Sequence, residues 1–149
     1  MGLRDSNLVE NEYYHIYNRG NGKNLIFNSR EDYDRFAKLL FVCNSKKSFT
    51  FRDSIIDQKI DAWDFDRGES LVEICAWVLM PNHFHIILIS HRSDLWKIKY
   101  NPITEFMRKL STAYAMYFNK KYNRTGSLFE RKFKSKNISK DNYFNYLFS

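Results

Sequence analysis

Nine residues near the middle of the chain, Met80-Pro81-Asn82-His83-Phe84-His85-Ile86-Ile87-Leu88, hold the densest chemistry in the sequence. The Pro-Asn pair reads as a turn, and the apolar, β-branched run after it reads as a strand. Side chains two apart on a strand point the same way, so His83 and His85 stand side by side while Phe84, Ile86 and Leu88 face a core. Two adjacent imidazoles are half of a metal site: their nitrogens bind divalent cations, and the positions left open can take a phosphate oxygen. The plainer alternative is a pair of hydrogen-bonded surface histidines, and an isolated H-x-H does not choose between the two. A histidine-dependent phosphoesterase would want a second histidine motif, whereas His15 and His91 stand alone in the sequence.

A second candidate is Arg19-Gly20-Asn21-Gly22-Lys23, where glycines permit close backbone approach and flanking cations favour an anion. An ordinary strand-to-helix turn would look the same, since this is not a phosphate loop of the G-x-x-x-x-G-K type. The third feature is charge. The net charge is +7, but residues 1–100 hold 14 Lys and Arg against 14 Asp and Glu, while residues 101–149 hold 10 against 3. In that last third Arg108, Lys109, Lys120, Lys121, Arg124, Arg131, Lys132, Lys134 and Lys136 alternate with Tyr114, Tyr117, Phe118, Tyr122, Phe129 and Phe133. Cations can take phosphates and aromatic faces can take unstacked bases, so the mixture suits single-stranded nucleic acid. The competing reading is a solvated basic helix whose aromatics belong to the core.

These residues must be positioned by a fold. The 149 residues favour one domain with a real core. No apolar run approaches the ~20 residues that cross a bilayer, which speaks against a membrane span. Met1 to Glu10 mixes charges with few apolar residues and so lacks the core of a secretory signal, which predicts a cytoplasmic protein. Cys43 and Cys75 form no C-x-x-C pair, so neither a zinc knuckle nor a disulfide framework is indicated, and both are expected as buried free thiols.

Tyr13 to Tyr17 predicts a first strand, ended by the glycine turn. Ser29 can cap a helix with Glu31 and Asp32 in its first turn and Tyr33, Phe36, Leu39 and Leu40 on its apolar stripe, running to about Asn44. Residues 45–70 lose periodicity and gather Asp53, Asp57, Asp61, Asp64, Asp66 and Glu69, which predicts an exposed acidic excursion, in hairpin form if it has structure. Leu71 to Met80 and His83 to Ser90 predict two antiparallel strands. Asn101-Pro102 starts the longest helix, with Ile103, Phe106, Met107, Leu110, Tyr114, Tyr117 and Phe118 on one stripe. Phe133 to Ile138 predicts a last strand, and Ser139 can cap a final helix containing Tyr143, Phe144 and Leu147. The order β-α-β-β-α-β matches an α+β, ferredoxin-like (RRM-like) fold, an antiparallel sheet with helices on one face.

Three blocks carry a resemblance. Tyr14-His15-Ile16-Tyr17-Asn18-Arg19-Gly20, then Ala76-Trp77-Val78-Leu79-Met80-Pro81-Asn82-His83-Phe84-His85, then Gly126-Ser127-Leu128-Phe129-Glu130-Arg131-Lys132-Phe133-Lys134 resemble, in order, signatures of the IS200-like (Y1, HUH-type) transposases. The likeness favours the branch of REP-associated tyrosine transposases and spans nearly the whole chain except the acidic excursion. It implies a homodimeric enzyme that binds hairpin-bearing single-stranded DNA and cuts beside the hairpin. A tyrosine would attack the phosphorus, keep the 5′ phosphate as a phosphotyrosine and free a 3′ hydroxyl. His83 and His85 would hold Mg²⁺ or Mn²⁺, and Arg19, Lys23, Arg108, Lys109, Lys120, Lys121, Arg124, Arg131, Lys132 and Lys134 would contact DNA. In the resembling family the nucleophile sits on the final helix, and counting from Phe133-Lys134 places it one residue past Ser149. The expectation is therefore a chain truncated before its nucleophile, with Tyr146 and Tyr143 as the fallback candidates. Both read first as packing residues, because Leu147, one turn after Tyr143, cannot bind a metal. The alternative function is a non-catalytic nucleic-acid-binding module, which would have no need of paired imidazoles.

Overall fold

The first strand is built by strict alternation. In β1 (Tyr13–Arg19) Tyr14, Ile16 and Asn18 are buried, while the residues between them are half-exposed on the opposite face. The structure is a computed structural model that describes residues 8–47, 50–91 and 101–139. β1 is followed by α1 (Arg30–Val42), β2 (Glu73–Met80), β3 (His83–Ile89), α2 (Pro102–Lys121) and β4 (Lys134–Asn137). All strand pairs are antiparallel and the sheet order is β2-β3-β1-β4, so the two central strands are β1 and β3. This is the ferredoxin-like α+β order that the sequence pattern predicts.

The helix starts follow their caps. Ser29 Oγ accepts from the Asp32 N–H at 3.4 Å, and Asn101 Oδ1 accepts from the N–H groups of Ile103 at 2.9 Å and Thr104 at 3.3 Å, with Pro102 at the first helical position. α2 buries Ile103, Phe106, Met107, Leu110, Tyr114 and Phe118 on one stripe. Together with Phe36, Leu39 and Leu40 of α1 they cover Ile16, Phe84, Ile86 and Leu88 of the sheet. The aromatic centre of this core is Phe36, whose ring lies 5.2 Å from that of Phe84 and 5.1 Å from that of Tyr114.

Asp32 is the polar joint between the helices. It is fully buried, and its carboxylate accepts from Tyr117 Oη at 2.7 Å, Tyr122 Oη at 2.6 Å, Lys121 Nζ at 2.8 Å and the Asn28 N–H at 2.9 Å. Burial alone would raise its pKa, but the bonds from Lys121, Tyr122, Tyr117 and Asn28 outweigh that and hold it well below the ordinary carboxylate range. A residue expected only to favour the helix N-terminus thus ties α1 to the end of α2.

Several boundaries differ from expectation. α1 stops at Val42 because Asn44 turns inward and becomes a clamp: its Oδ1 accepts from the N–H groups of Leu71 and Val72, both at 2.9 Å, and its Nδ2 donates to the Val72 carbonyl at 2.8 Å. Those N–H groups are taken by the side chain, so β2 begins at Glu73 and not at Leu71. The pairing of β2 with β3 shifts between Ile74 and Ala76, a bulge that leaves Cys75 extra and exposed. Only Cys43 is the buried thiol that was expected, and burial pushes it up to about 12. Beyond the bulge Ala76, Val78 and Met80 share a face with Ile87, His85 and His83. The last strand is shorter than expected, Lys134–Asn137, flanked by buried Phe133 and Ile138.

The 45–70 excursion is not a hairpin. It contains a π-turn at Arg52–Ile56 and a 3-10 turn at Ala62–Asp64, and it drops Ile55 and Ala62 into the core while its aspartates stay exposed. Lys109 Nζ fastens its start by donating to the carbonyls of Ser45 at 2.6 Å and Lys47 at 2.8 Å. Among the described residues no helix is long and apolar enough to cross a membrane. The helix expected after Ser139 lies outside the described residues.

Candidate active site on the open sheet face

With both helices packed on one side, the alternation of β1 and β3 sends His15, Tyr17, Arg19, His83 and His85 to the other side. The register sets Tyr17 opposite His85 and Arg19 opposite His83, while β4 brings Lys134 beside Tyr17 and Lys136 beside His15. His83 and His85 therefore share a face, as their spacing predicts. Their ring centroids are 5.1 Å apart and their planes are crossed at 87°. Two imidazoles bound to one ion at about 2.1 Å each would place their centroids roughly 4.5–5 Å apart, close to the separation of this pair. Among the described residues no group of three or more His, Cys, Asp and Glu side chains gathers for a metal.

His15 does not stand alone. Its Nε2 lies 2.8 Å from His85 Nδ1, and its ring sits 4.9 Å from Tyr17. The four rings His15, Tyr17, His85 and His83 form one cluster across the two central strands. Burial, then His85 and Lys136, push His15 down to about 4, and burial with His83 lowers His85. Both rings are then neutral at pH 7, the state in which a ring nitrogen can hold a metal. His91 sits at the far end of β3, with Nδ1 2.7 Å from Asn11 Oδ1.

The glycine turn is consumed by the fold. A Cβ on Gly20 would lie 2.0 Å from the Asn24 carbonyl oxygen, so only glycine fits, and Gly22 has a positive φ of 65°. Three of its N–H groups are spent internally: Gly20 donates to the Asn82 carbonyl, Asn21 to that of Leu128 and Lys23 to that of Gly20. The Lys23 side chain is exposed on this turn. The tip of the β2–β3 hairpin is buckled onto this connection, because the Pro81 carbonyl accepts from the N–H groups of both Ile26, at 2.9 Å, and Phe27, at 3.1 Å.

The expected cations divide into two sets. Near the open face, Arg19 Nε lies 2.6 Å from Glu130 Oε1 and Lys134 Nζ lies 3.7 Å from Glu130 Oε2, so one carboxylate holds both. Arg131 and Lys132 are exposed in the same block, and none of the described residues pairs with them. On the helical side, Arg108, Lys109, Lys120 and Lys121 line a groove of about 1120 Å³. Most of these are occupied: Arg108 by Glu105, Lys109 by the two carbonyls of the excursion, Lys121 by Asp32. Arg124 folds back on Asn119 Oδ1 at 2.6 Å. The aromatics interleaved with them are structural as well, since Tyr114, Phe118, Phe129 and Phe133 are buried and Tyr117 and Tyr122 bond Asp32. The aromatics of the last third thus serve the core and the Asp32 joint among the described residues; His15, Tyr17, His83 and His85 are half-buried on the opposite sheet face, and Trp77 of β2 is exposed. His15, Tyr17 and Glu130 are the site residues that sequence reasoning missed; alternation in β1 could have placed the first two on one face, but not beside His85.

A solved structure of a REP-associated tyrosine transposase bound to a REP hairpin aligns with 99% of this chain and 67% of its own, at a TM-score of 0.55 and 14% identity. The two share a fold. A candidate transposase from Deinococcus radiodurans R1 aligns over 99% of this chain and 93% of its own, at a TM-score of 0.48 and 15% identity. No family model matches the sequence, and no curated protein matches it. In this shared fold the histidine pair opens a central strand, β3, immediately after a tight turn. Tyr143 and Tyr146 lie outside the described residues.

Proposed function

We propose that the protein is an IS200-like, HUH-type DNA strand transferase that acts on hairpin-bearing single-stranded DNA. The observation that carries the reading is the crossed pair His83 and His85 on the open face of a sheet whose fold is shared with a tyrosine transposase bound to a REP hairpin. A divalent cation, Mg²⁺ or Mn²⁺, held by the two Nε2 atoms would polarise the scissile phosphate and stabilise its developing charge. Arg131 and Lys132, with Lys23 and with Arg19 and Lys134 once they exchange Glu130 for phosphate, would track the DNA backbone past the histidines. Tyr17 offers a ring on which an unstacked base can lie.

In the proposed step a tyrosine hydroxyl attacks the phosphorus, a bond forms between P and the phenolic oxygen, and the bond from P to the 3′ oxygen breaks. The tyrosine proton leaves and the departing 3′ oxygen gains one, so the phosphodiester energy is kept in the phosphotyrosine and the transfer is reversible. The nucleophile would come from the segment after β4, with Tyr146 and Tyr143 as its candidates in this chain. A homodimer forms part of the same proposal.

The test is incubation of the whole chain with Mn²⁺ and end-labelled hairpin DNA, read on a denaturing gel for a covalent adduct and by electron paramagnetic resonance for bound Mn²⁺. The expected result is hairpin binding and Mn²⁺ binding that His83→Ala removes; an adduct that needs the metal and is lost in Tyr146→Phe or Tyr143→Phe would assign the nucleophile to one of these fallback tyrosines. Hairpin binding with no adduct and no Mn²⁺ at the histidines would refute it in favour of a binding module.

A further inference from the structure

Each candidate ligand histidine has its Nδ1 engaged, and by different partners. His83 Nδ1 lies 2.8 Å from Asn82 Oδ1. The orientation of that amide is set by its other end, because Asn82 Nδ2 donates to the Lys23 carbonyl at 3.4 Å. A carbonyl oxygen can only accept, so His83 Nδ1 must carry the hydrogen, and its Nε2 is left with a lone pair. His85 Nδ1 faces His15 Nε2 at 2.8 Å. One hydrogen is shared between those two nitrogens, and His85 can offer Nε2 to a ligand only when His15 is the acceptor.

We infer that Asn82 and His15 are positioning residues that hold His83 and His85 in the Nδ1–H tautomer and so present both Nε2 atoms on the open face. The inference rests on the reading of His83 and His85 as metal ligands and adds the residues that make them ligands. Metal-binding histidines usually donate their second ring N–H to a protein acceptor, which fixes the ring and strengthens the bond. What is unusual here is the division of labour. Asn82 is held as an acceptor by the bond from its Nδ2 to the Lys23 carbonyl, whereas His15 can accept or donate. The pair is therefore half locked and half adjustable, and the lock comes from the residue directly before the H-x-H.

Two readouts test this. In the metal-free protein, long-range ¹H–¹⁵N spectra of the histidine rings should show His83 as the Nδ1–H tautomer. In Asn82→Ala the ring should move toward the Nε2–H form that free imidazole prefers, while Asn82→Asp, which keeps an acceptor, should restore it. In the second readout, Mn²⁺ affinity should fall about 10- to 100-fold in Asn82→Ala and in His15→Ala, with recovery in Asn82→Asp. Wild-type protein showing His83 as Nε2–H overturns the inference whatever the metal does. Wild-type Mn²⁺ binding that Asn82→Ala and His15→Ala leave unchanged overturns it too. A wild type that shows the predicted tautomers but binds no Mn²⁺ overturns the metal reading of the site while the tautomer assignment stands, so the two failures are told apart. Thermal unfolding of each variant guards against misfolding, and His15→Ala, on a different strand, keeps the test alive if the Asn82 turn collapses.

Discussion

Replacing Asp32 by alanine should unfasten the two helices from each other. The substitution removes the acceptor of four hydrogen bonds at 2.6–2.9 Å from a fully buried position. Tyr122 Oη and the Asn28 N–H lose their partner, Tyr117 Oη keeps at best a long contact to Glu31 at 3.4 Å, and Lys121 can turn to Glu31 and water. A buried donor left without an acceptor costs about 1–3 kcal/mol. With two donors stranded and the ammonium rescued by solvent, the loss should be about 3–4 kcal/mol, within the range for breaking a buried charged network. At about 3 °C per kcal/mol for a chain of this size, the midpoint of thermal unfolding should drop by roughly 10 °C. Asp32→Asn keeps the volume but points an amide N–H at a donor, so it should cost about half as much. The pH dependence has a definite sign. The folded-state pKa is depressed, so the unfolded chain binds the proton first and stability falls on acidification. The contribution is complete above the ordinary carboxylate pKa of about 4 and declines below it, toward the folded value. Urea titrations of wild type and Asp32→Asn at pH 7 and at pH 3 measure both. A loss under 1 kcal/mol at pH 7, or a gap between the two proteins that does not narrow at pH 3, would refute the reasoning.

Other outcomes follow from the same geometry. Glu130→Gln should release Arg19 and Lys134 and tighten single-stranded DNA binding, steepening the slope of log K against log salt by ~0.7 for each cation that gains a phosphate. Arg131→Ala and Lys132→Ala should each flatten that slope by ~0.7, whereas Lys109→Ala, whose ammonium holds the Ser45 and Lys47 carbonyls, should leave the slope alone and lower the unfolding midpoint. His15, held at about 4 against an unfolded value near 6.5, should make the protein less stable as the pH falls from 6.5 to 4, because the unfolded chain takes the proton first. His15→Gln should reduce that slope in denaturation curves measured across the window; an unchanged slope would mean that another group sets it.

What could be read from the residues alone was everything governed by local rules. The alternation in Tyr13–Arg19 and His83–Ile89, the caps Ser29 and Asn101, and the stripe of α2 are each decided within a few residues, and together they order the fold. The features that escaped are pairings between distant segments. Asn44 looks like the last residue of a helix until Leu71 and Val72 are beside it. His15 looks solitary until the register of β1 on β3 sets it against His85. The cations and aromatics of the last third carry the composition of a DNA surface, yet Asp32 and the core claim many of them, because composition does not say which side of a helix or sheet a residue will face.

The buckle between Pro81 and the Ile26–Phe27 backbone bears on how this scaffold could change over time. The tip of a two-stranded hairpin is ordinarily where a chain tolerates inserted residues, since its backbone answers only to water. Here the tip is a rivet: lengthening it by a residue or two would pull the Pro81 carbonyl off two amides, loosen the Asn82 carbonyl from Gly20 and tilt the start of β3 that carries both histidines. New sequence should therefore accumulate in the acidic 50–66 stretch, whose aspartates face outward, and descendants of this chain would diversify at that end of the molecule while the histidine end kept its length.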